Sequence, residues 1–227
     1  MRRALRAIST VLIVAGVLLV ADAGITLAWQ EPVSALLARL EQDRLSGELD
    51  RIEERGPTTV QRRVLRALET RRRRIEFLAR EARRTASEGD PIGRIEIPAI
   101  GADFVVVHGT DDATLRKGPG HYPSTAFPGL TGTVAIAGHR TTYLAPFRRV
   151  DDLGSGDRIV LTMPYARFAY RVQRTQIVDP RALWVTRDVG YQRLVLSACH
   201  PLYSAAERII VFARLERAEA RGAAVGR

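Results

Sequence analysis

The stretch LVLSACHPLYSAAERIIVF, residues 194–212, decides how the rest of the chain is read. Leu194, Val195 and Leu196 form a β-rich apolar run that delivers the chain's one cysteine, Cys199, to a break at Pro201. A second β-rich run, residues 209–212, starts just after Arg208. A thiol and a fixed positive charge therefore stand at the mouths of two neighbouring strands. Upstream, GTVAIA at residues 132–137 has the composition of a strand that ends at Gly138 and hands His139 to a loop. Cysteine, histidine and arginine at strand ends can converge on one point.

The neighbouring sequence supports that reading. From Pro91 onward, short β-patterned runs recur at residues 94–97, 103–107, 158–162, 167–177 and 193–197, with a last one at 209–215, separated by Gly and Pro turns. This pattern predicts a mainly β fold, a closed or nearly closed barrel, whose loops carry the chemistry. Residues 111–117 read as a short helix capped by Asp111, and residues 145–153 as another helical turn.

With 227 residues and 46% hydrophobic content, the chain can hold one core domain plus attachments. The formal charge of +10 is divided as +2 over residues 1–30, +2 over 31–90 and +6 over 91–227. Such an even spread argues against a nucleic-acid partner and suits a domain working beside anionic lipid or cell wall. Lys117 is the only lysine and asparagine is absent, a bias that GC-rich codons produce. One cysteine cannot form an internal disulfide, so the core must hold without one.

Residues 7–29 are apolar except for Ser9, Thr10, Asp22 and Thr26, and at about 1.5 Å per residue they reach across a bilayer of about 30 Å. Arg2, Arg3 and Arg6 favour a cytoplasmic N-terminus, with Trp29 as an interfacial anchor and the rest outside. Ala21, Asp22 and Ala23 also fit a signal-peptide cleavage site, and both readings export the protein. Residues 31–90 carry alternating charge over thin apolar stripes. Val33, Leu36, Leu37, Leu40, Leu45, Leu49 and Ile52 outline one helix, stopped by Gly56 and Pro57. Thr58 and Gln61 fit a capping box, and Val60, Val64, Leu68, Ile75, Leu78 and Ala82 continue as a second helix. An antiparallel hairpin, a coiled coil with a partner and a stalk all remain open. The resulting division is an anchor at 1–30, a charged helical segment at 31–90, a barrel at 91–217 and a disordered tail at 218–227.

Over residues 91–215 the chain resembles the sortases, membrane-anchored cysteine transpeptidases of Gram-positive bacteria. The resemblance rests on GPGHYPSTAFPG at 118–129, AGHRTTYLAPF at 137–147, and the Cys199, His200, Pro201 step followed by Arg208. Class E is the best match and class D its near neighbour. The family's Thr-Leu-x-Thr-Cys has Val195 and Ala198 here in place of its two threonines, so the hydroxyl just before the nucleophile is missing. The resemblance implies a sortase-like closed β-barrel with Cys199 as nucleophile, His139 as general acid and later base, and Arg208 as the group that positions substrate and steadies the oxyanion. It places Tyr143, Ala198 and His121 on the substrate-binding side, His121 also bracing its loop. It implies no cofactor and no metal. The partners would be secreted proteins bearing a C-terminal Leu-(Ala or Pro)-x-Thr-Gly sorting signal and a peptidoglycan-precursor amine. The location would be the cell membrane, spanned once, with the catalytic domain outside.

Other residues and functions compete. His108 reads as a surface residue at a strand end, and Arg193 as a surface charge at a strand start. His200 follows Cys199 directly, and neighbouring side chains in extended chain point to opposite faces, so it is poorly placed to serve the sulfur. Arg140 is separated from His139 by the same alternation. His121, His139, Cys199 and His200 have the residue types of a zinc site but lack paired ligand spacing. A papain-like peptidase would place its cysteine at a helix start, ahead of the histidine, which is the reverse of the order here. A membrane-tethered scaffold acting through its helices would leave the Cys, His and Arg pattern unused.

Overall fold

The computed structural model describes residues 2–28 and 32–225. Eight strands close into a barrel: β1 (Pro91–Ile97), β2 (Ala102–His108), β3 (Gly120–His121), β4 (Thr133–Ala137), β5 (Arg158–Met163), β6 (Ala166–Val178), β7 (Arg193–His200) and β8 (Glu207–Ala220). Their order around the barrel is β1-β2-β3-β4-β7-β8-β6-β5, and β1 closes it by pairing antiparallel with β5. Every strand expected from the sequence is present. The two-residue β3, which bridges β2 and β4, was too short to show a period.

Alternation along the strands sorts the core. On β7, Leu194, Leu196 and Ala198 point into the barrel with Val134 and Ile136 of β4 and Ile209 and Val211 of β8. Val195 faces outward and is covered by a second apolar layer containing Ala135, Val185, Ile210 and Phe212. Both faces of β7 are thus buried over most of its length, which is why residues 194–196 form a continuous apolar run rather than an alternating one. Each fully buried Leu or Ile contributes roughly 1.5–3 kcal/mol.

Helices α1 (Arg2–Ala28), α2 (Pro32–Arg55), α3 (Thr59–Ala67) and α4 (Arg71–Thr85) precede the barrel. α2 stops before Gly56, which sits at φ +58. The capping box forms: Thr58 Oγ1 accepts from the Gln61 N–H at 3.2 Å, and Gln61 Oε1 accepts from the Thr58 N–H at 2.9 Å. The second helix is not continuous, however. α3 ends at an extended Leu68, and Thr70 caps a new helix. Arg74 holds the break by donating from Nε to the carbonyls of Leu65 and Leu68 at 3.2 and 2.9 Å, satisfying acceptors that a helix end leaves free.

Helices α2 and α4 lie on the barrel. Leu45 and Leu49 of α2 pack on Val105 and Val107, and Gln42 bonds to both the N–H and the carbonyl of Val105. Ile75 and Ala79 of α4 join the barrel core. Among the described residues no helix is long and apolar enough to cross a membrane. Trp29, expected as an interfacial anchor, lies outside the described residues.

Three further expectations change. The tail is ordered through residue 225: β8 runs on to Ala220 because the start of β6 needs a pairing strand, and Ala224 is buried in a 3-10 turn at Gly222–Ala224. Gly226 and Arg227 lie outside the described residues. Only Val150–Asp152 of the helical turn expected at 145–153 is helical. Tyr143, Leu144 and Ala145 adopt φ +50, +64 and +43 instead, and Pro146 disfavours right-handed helix at the residue before it. By contrast α5 (Asp112–Leu115) forms as expected, with Asp111 Oδ1 accepting from the Thr114 N–H at 2.7 Å.

Candidate active site

The site is built at the ends of three adjacent strands. β4 and β7 run parallel with Ala137 opposite Ser197, and the Gly138 N–H donates to the Ser197 carbonyl at 3.0 Å. Two residues further on, His139 and Cys199 leave the same face side by side. On the other flank β7 and β8 run antiparallel with Cys199 directly opposite Arg208. The register sets His139, Cys199 and Arg208 in one row with the sulfur in the middle. Gly138 permits the tight exit of β4: a Cβ there would lie 2.5 Å from the ring of buried Phe147.

The side chains of the row are sparsely bonded. Cys199 is a half-buried free thiol. His139 is half-buried, and its buried Nε2 has no hydrogen-bond partner among the described residues. Burial holds its imidazole below the usual histidine range; Asp112 opposes that and Arg116 adds to it. Arg208 donates from one terminal nitrogen to the carbonyls of Ala205 and Glu207 at 3.0 and 2.9 Å, and among the described residues it has no carboxylate partner.

The residues expected on the substrate side separate. Tyr143 lies against His139 with ring centroids 5.3 Å apart, and the Arg116 guanidinium is 5.7 Å from the tyrosine ring. Ala198 does not face the site. It is 3% exposed and points into the barrel, because the residue beside Cys199 must leave the opposite face. Val195, at the other threonine position, is on the Cys199 face but completely covered. His121 is also removed from substrate: it is 1% exposed, its Nε2 bonds to the Ala126 carbonyl at 2.9 Å, and its Nδ1 is 3.2 Å from Nδ1 of His108. It braces the 118–129 loop, and burial lowers its pKa to about 4. His108 is its half-buried partner, not a plain surface residue.

Two arginines depart from expectation. Arg193 is buried and donates to Thr133 Oγ1 and to the carbonyls of Val185 and Arg187, fastening the 178–193 connection to the starts of β4 and β7, at the far end of these strands from Cys199. Arg140 is 4% exposed and bonds to Arg148, Asp151 and His200. A run of consecutive polar residues in sequence shows no sign of which one turns inward, so neither was legible before the strands were placed. Among the described residues no cluster of His, Cys, Asp or Glu could hold a metal ion.

Comparison with known proteins agrees with this geometry. The sortase domain model matches residues 95–216. The chain is 35% identical over 130 residues to sortase D of Bacillus subtilis, a match that covers 56% of this chain and 64% of that relative. Among solved structures, sortase E from Streptomyces avermitilis superposes with a TM-score of 0.55 at 33% identity, covering 62% of this chain and 96% of that one. The sortase D5 transpeptidase of Clostridium perfringens gives 0.56 at 28% identity, covering 63% and 89%. With the matched segment coinciding with the closed barrel and carrying the Cys199, His139 and Arg208 row, the chain belongs to the sortase family and is of the class D and E kind.

Proposed function

We propose that this chain is a cysteine transpeptidase that cleaves a Leu-(Ala or Pro)-x-Thr-Gly sorting signal between Thr and Gly and passes the threonyl group to a peptidoglycan-precursor amine. The observation that carries the reading is the register row in which a free thiol lies between a histidine and an arginine that, among the described residues, have respectively an unfilled Nε2 and no carboxylate partner. His139 takes the Cys199 proton as Sγ attacks the scissile carbonyl carbon, so thiolate and imidazolium form together. The carbonyl electron pair moves onto oxygen, where Arg208 supplies charge-assisted donors. Collapse breaks the C–N bond, the imidazolium gives its proton to the departing glycine amine, and a thioester remains on Cys199. An incoming amine then attacks that carbonyl carbon, His139 accepts the amine's proton, and the C–S bond breaks as the new amide forms.

Family membership and class likeness support the substrate class, and no cofactor enters any step. Incubating the purified chain with sorting-signal peptides and a panel of amines tests the reading. The expected result is amide exchange with a thioester-linked intermediate, both lost in Cys199→Ala. Persistent turnover in Cys199→Ala would end it.

We further propose that residues 7–29, which extend past the described end of α1, anchor the chain in the cell membrane with the barrel outside. Support comes from the arginines at the start of α1 and from Ile8, Val11, Leu12, Ile13, Val14, Val17, Leu18, Leu19 and Val20, each more than half exposed. Protease added to wall-stripped cells should digest the barrel, and the mature protein should begin near Met1. A mature N-terminus at Gly24 would instead support the cleaved signal.

A further inference from the structure

Arg140 and His200 each follow a residue of the reacting pair in sequence, and each turns to the opposite side of its strand end. They meet behind the site. The Arg140 Nη1 lies 3.3 Å from His200 Nδ1, its Nε and Nη2 donate to the Arg148 carbonyl at 3.3 and 3.1 Å, and Nη2 pairs with Asp151 at 2.5 Å. A guanidinium only donates, so His200 Nδ1 is the acceptor and its proton resides on Nε2. The guanidinium is thus filled on three sides in a nearly dry environment.

The position of this cluster matters because of where the main-chain ladder stops. Between the β4 and β7 segments it ends at the Gly138 to Ser197 bond, one residue short of His139 and two short of Cys199. The next tie between the two segments is Arg140 to His200, one residue beyond the reacting pair on each side. A second tie runs in parallel: Arg148 donates to the Tyr203 hydroxyl at 3.2 Å, joining the loop after His139 to the loop after Cys199.

We propose that Arg140 and His200 form a clamp that sets the separation and aim of His139 relative to Cys199, both acting as positioning residues. The proposal rests on the transpeptidase reading above. A buried arginine is retained at a desolvation cost unless its partners are well placed, and here those partners are parts of the two loops that carry the reacting groups. Proton transfer between sulfur and imidazole requires hydrogen-bond reach, and a displacement of about 1 Å can cost about 100-fold in rate. Lysine, a point charge on a flexible stem, cannot hold the carbonyl, the carboxylate and the imidazole together.

The test compares His200→Asn, His200→Leu and Arg140→Lys with wild type on one sorting-signal peptide. Thermal melts and nitrogen NMR of the His200 ring accompany the kinetics. Asparagine can place an acceptor where Nδ1 stood and leucine cannot. The expected result is a kcat loss of about tenfold for His200→Leu with KM unchanged, recovery to within about threefold for His200→Asn, and a loss at least as large as leucine's for Arg140→Lys. The wild-type ring should carry its proton on Nε2. A merely structural role would lower the melting temperature of the leucine variant while sparing kcat, and that outcome overturns the clamp. So does an asparagine variant as slow as leucine, or a proton found on Nδ1. The Cys199→Ala control keeps the two readings apart: activity in that variant defeats the transpeptidase assignment, whereas wild-type rates in the His200 variants defeat the clamp alone.

Discussion

The two sides of the strand ends at residues 137–140 and 197–200 differ in how their bonding capacity is used. On the front, His139 keeps a buried Nε2 with no partner among the described residues, Cys199 is a free thiol, and Arg208 spends one nitrogen on the carbonyls of its own turn. On the back, Arg140 is fully engaged with a carbonyl, a carboxylate and an imidazole. A buried donor or acceptor left unsatisfied costs about 1–3 kcal/mol, so the front is the less stable arrangement by design of the sequence rather than by loose packing. Chemistry needs groups with a bond still to make, and the filled network behind them supplies the rigidity they lack.

The contrast is tested most strongly by removing the imidazoles in turn. His139→Ala should lower kcat/KM by about 10²–10⁴-fold, the range for losing a general acid and base, with little change in melting temperature. His200→Ala should cost far less in rate. His121→Ala should act on stability, since its ring fastens Ala126 and Thr125, and equal rate losses for His121 and His139 would break the assignment.

Arg208 comes next in size. A planar guanidinium can hold a peptide carbonyl and the developing oxyanion at once, whereas a lysine ammonium cannot. Arg208→Ala should reduce turnover about 100-fold to 1,000-fold, with Arg208→Lys closer to alanine than to wild type. Were Arg208 only a strand-start charge, both variants would cleave peptide within a few-fold of normal after circular dichroism confirms folding.

How much of this was legible beforehand follows from where each residue's information resides. The β-runs showed their period locally, and the Cys, His and Arg row followed from strand ends, so both were readable from sequence. Ala198, expected on the substrate side, points into the barrel, as the alternation that turns His200 from the sulfur also dictates. In sequence Arg193 and His108 have the look of surface residues and Arg140 of an incidental one, because their partners, Thr133, His121 and Asp151, come from other elements. The break between α3 and α4 depends on Arg74 reaching back to Leu65 and Leu68, and a stripe of apolar residues cannot show it. The Asp111 cap is legible in sequence, but the closeness of Asp112 and Arg116 to His139 has no counterpart in spacing.

Those last two residues give the smallest effect and the finest test of the front. Burial is the main reason the His139 pKa lies below its ordinary value; Asp112 raises it and Arg116 lowers it. On the acid side of the pH profile of kcat/KM, activity rises as the imidazole loses its proton. That assignment is independent of whether the reacting form is written as thiol with imidazole or as thiolate with imidazolium, because both carry the same number of protons. Removing the cation with Arg116→Gln should therefore move the acid limb to higher pH. Removing the anion with Asp112→Asn should move it lower. The two side chains are ion-paired at 2.9 Å and largely exposed, so the double variant should shift least. Added salt should shrink both single shifts, since the Debye length is about 10 Å at 0.1 M. Limbs that stay fixed, or that move the same way in both single variants, would show that a group other than His139 governs the acid side.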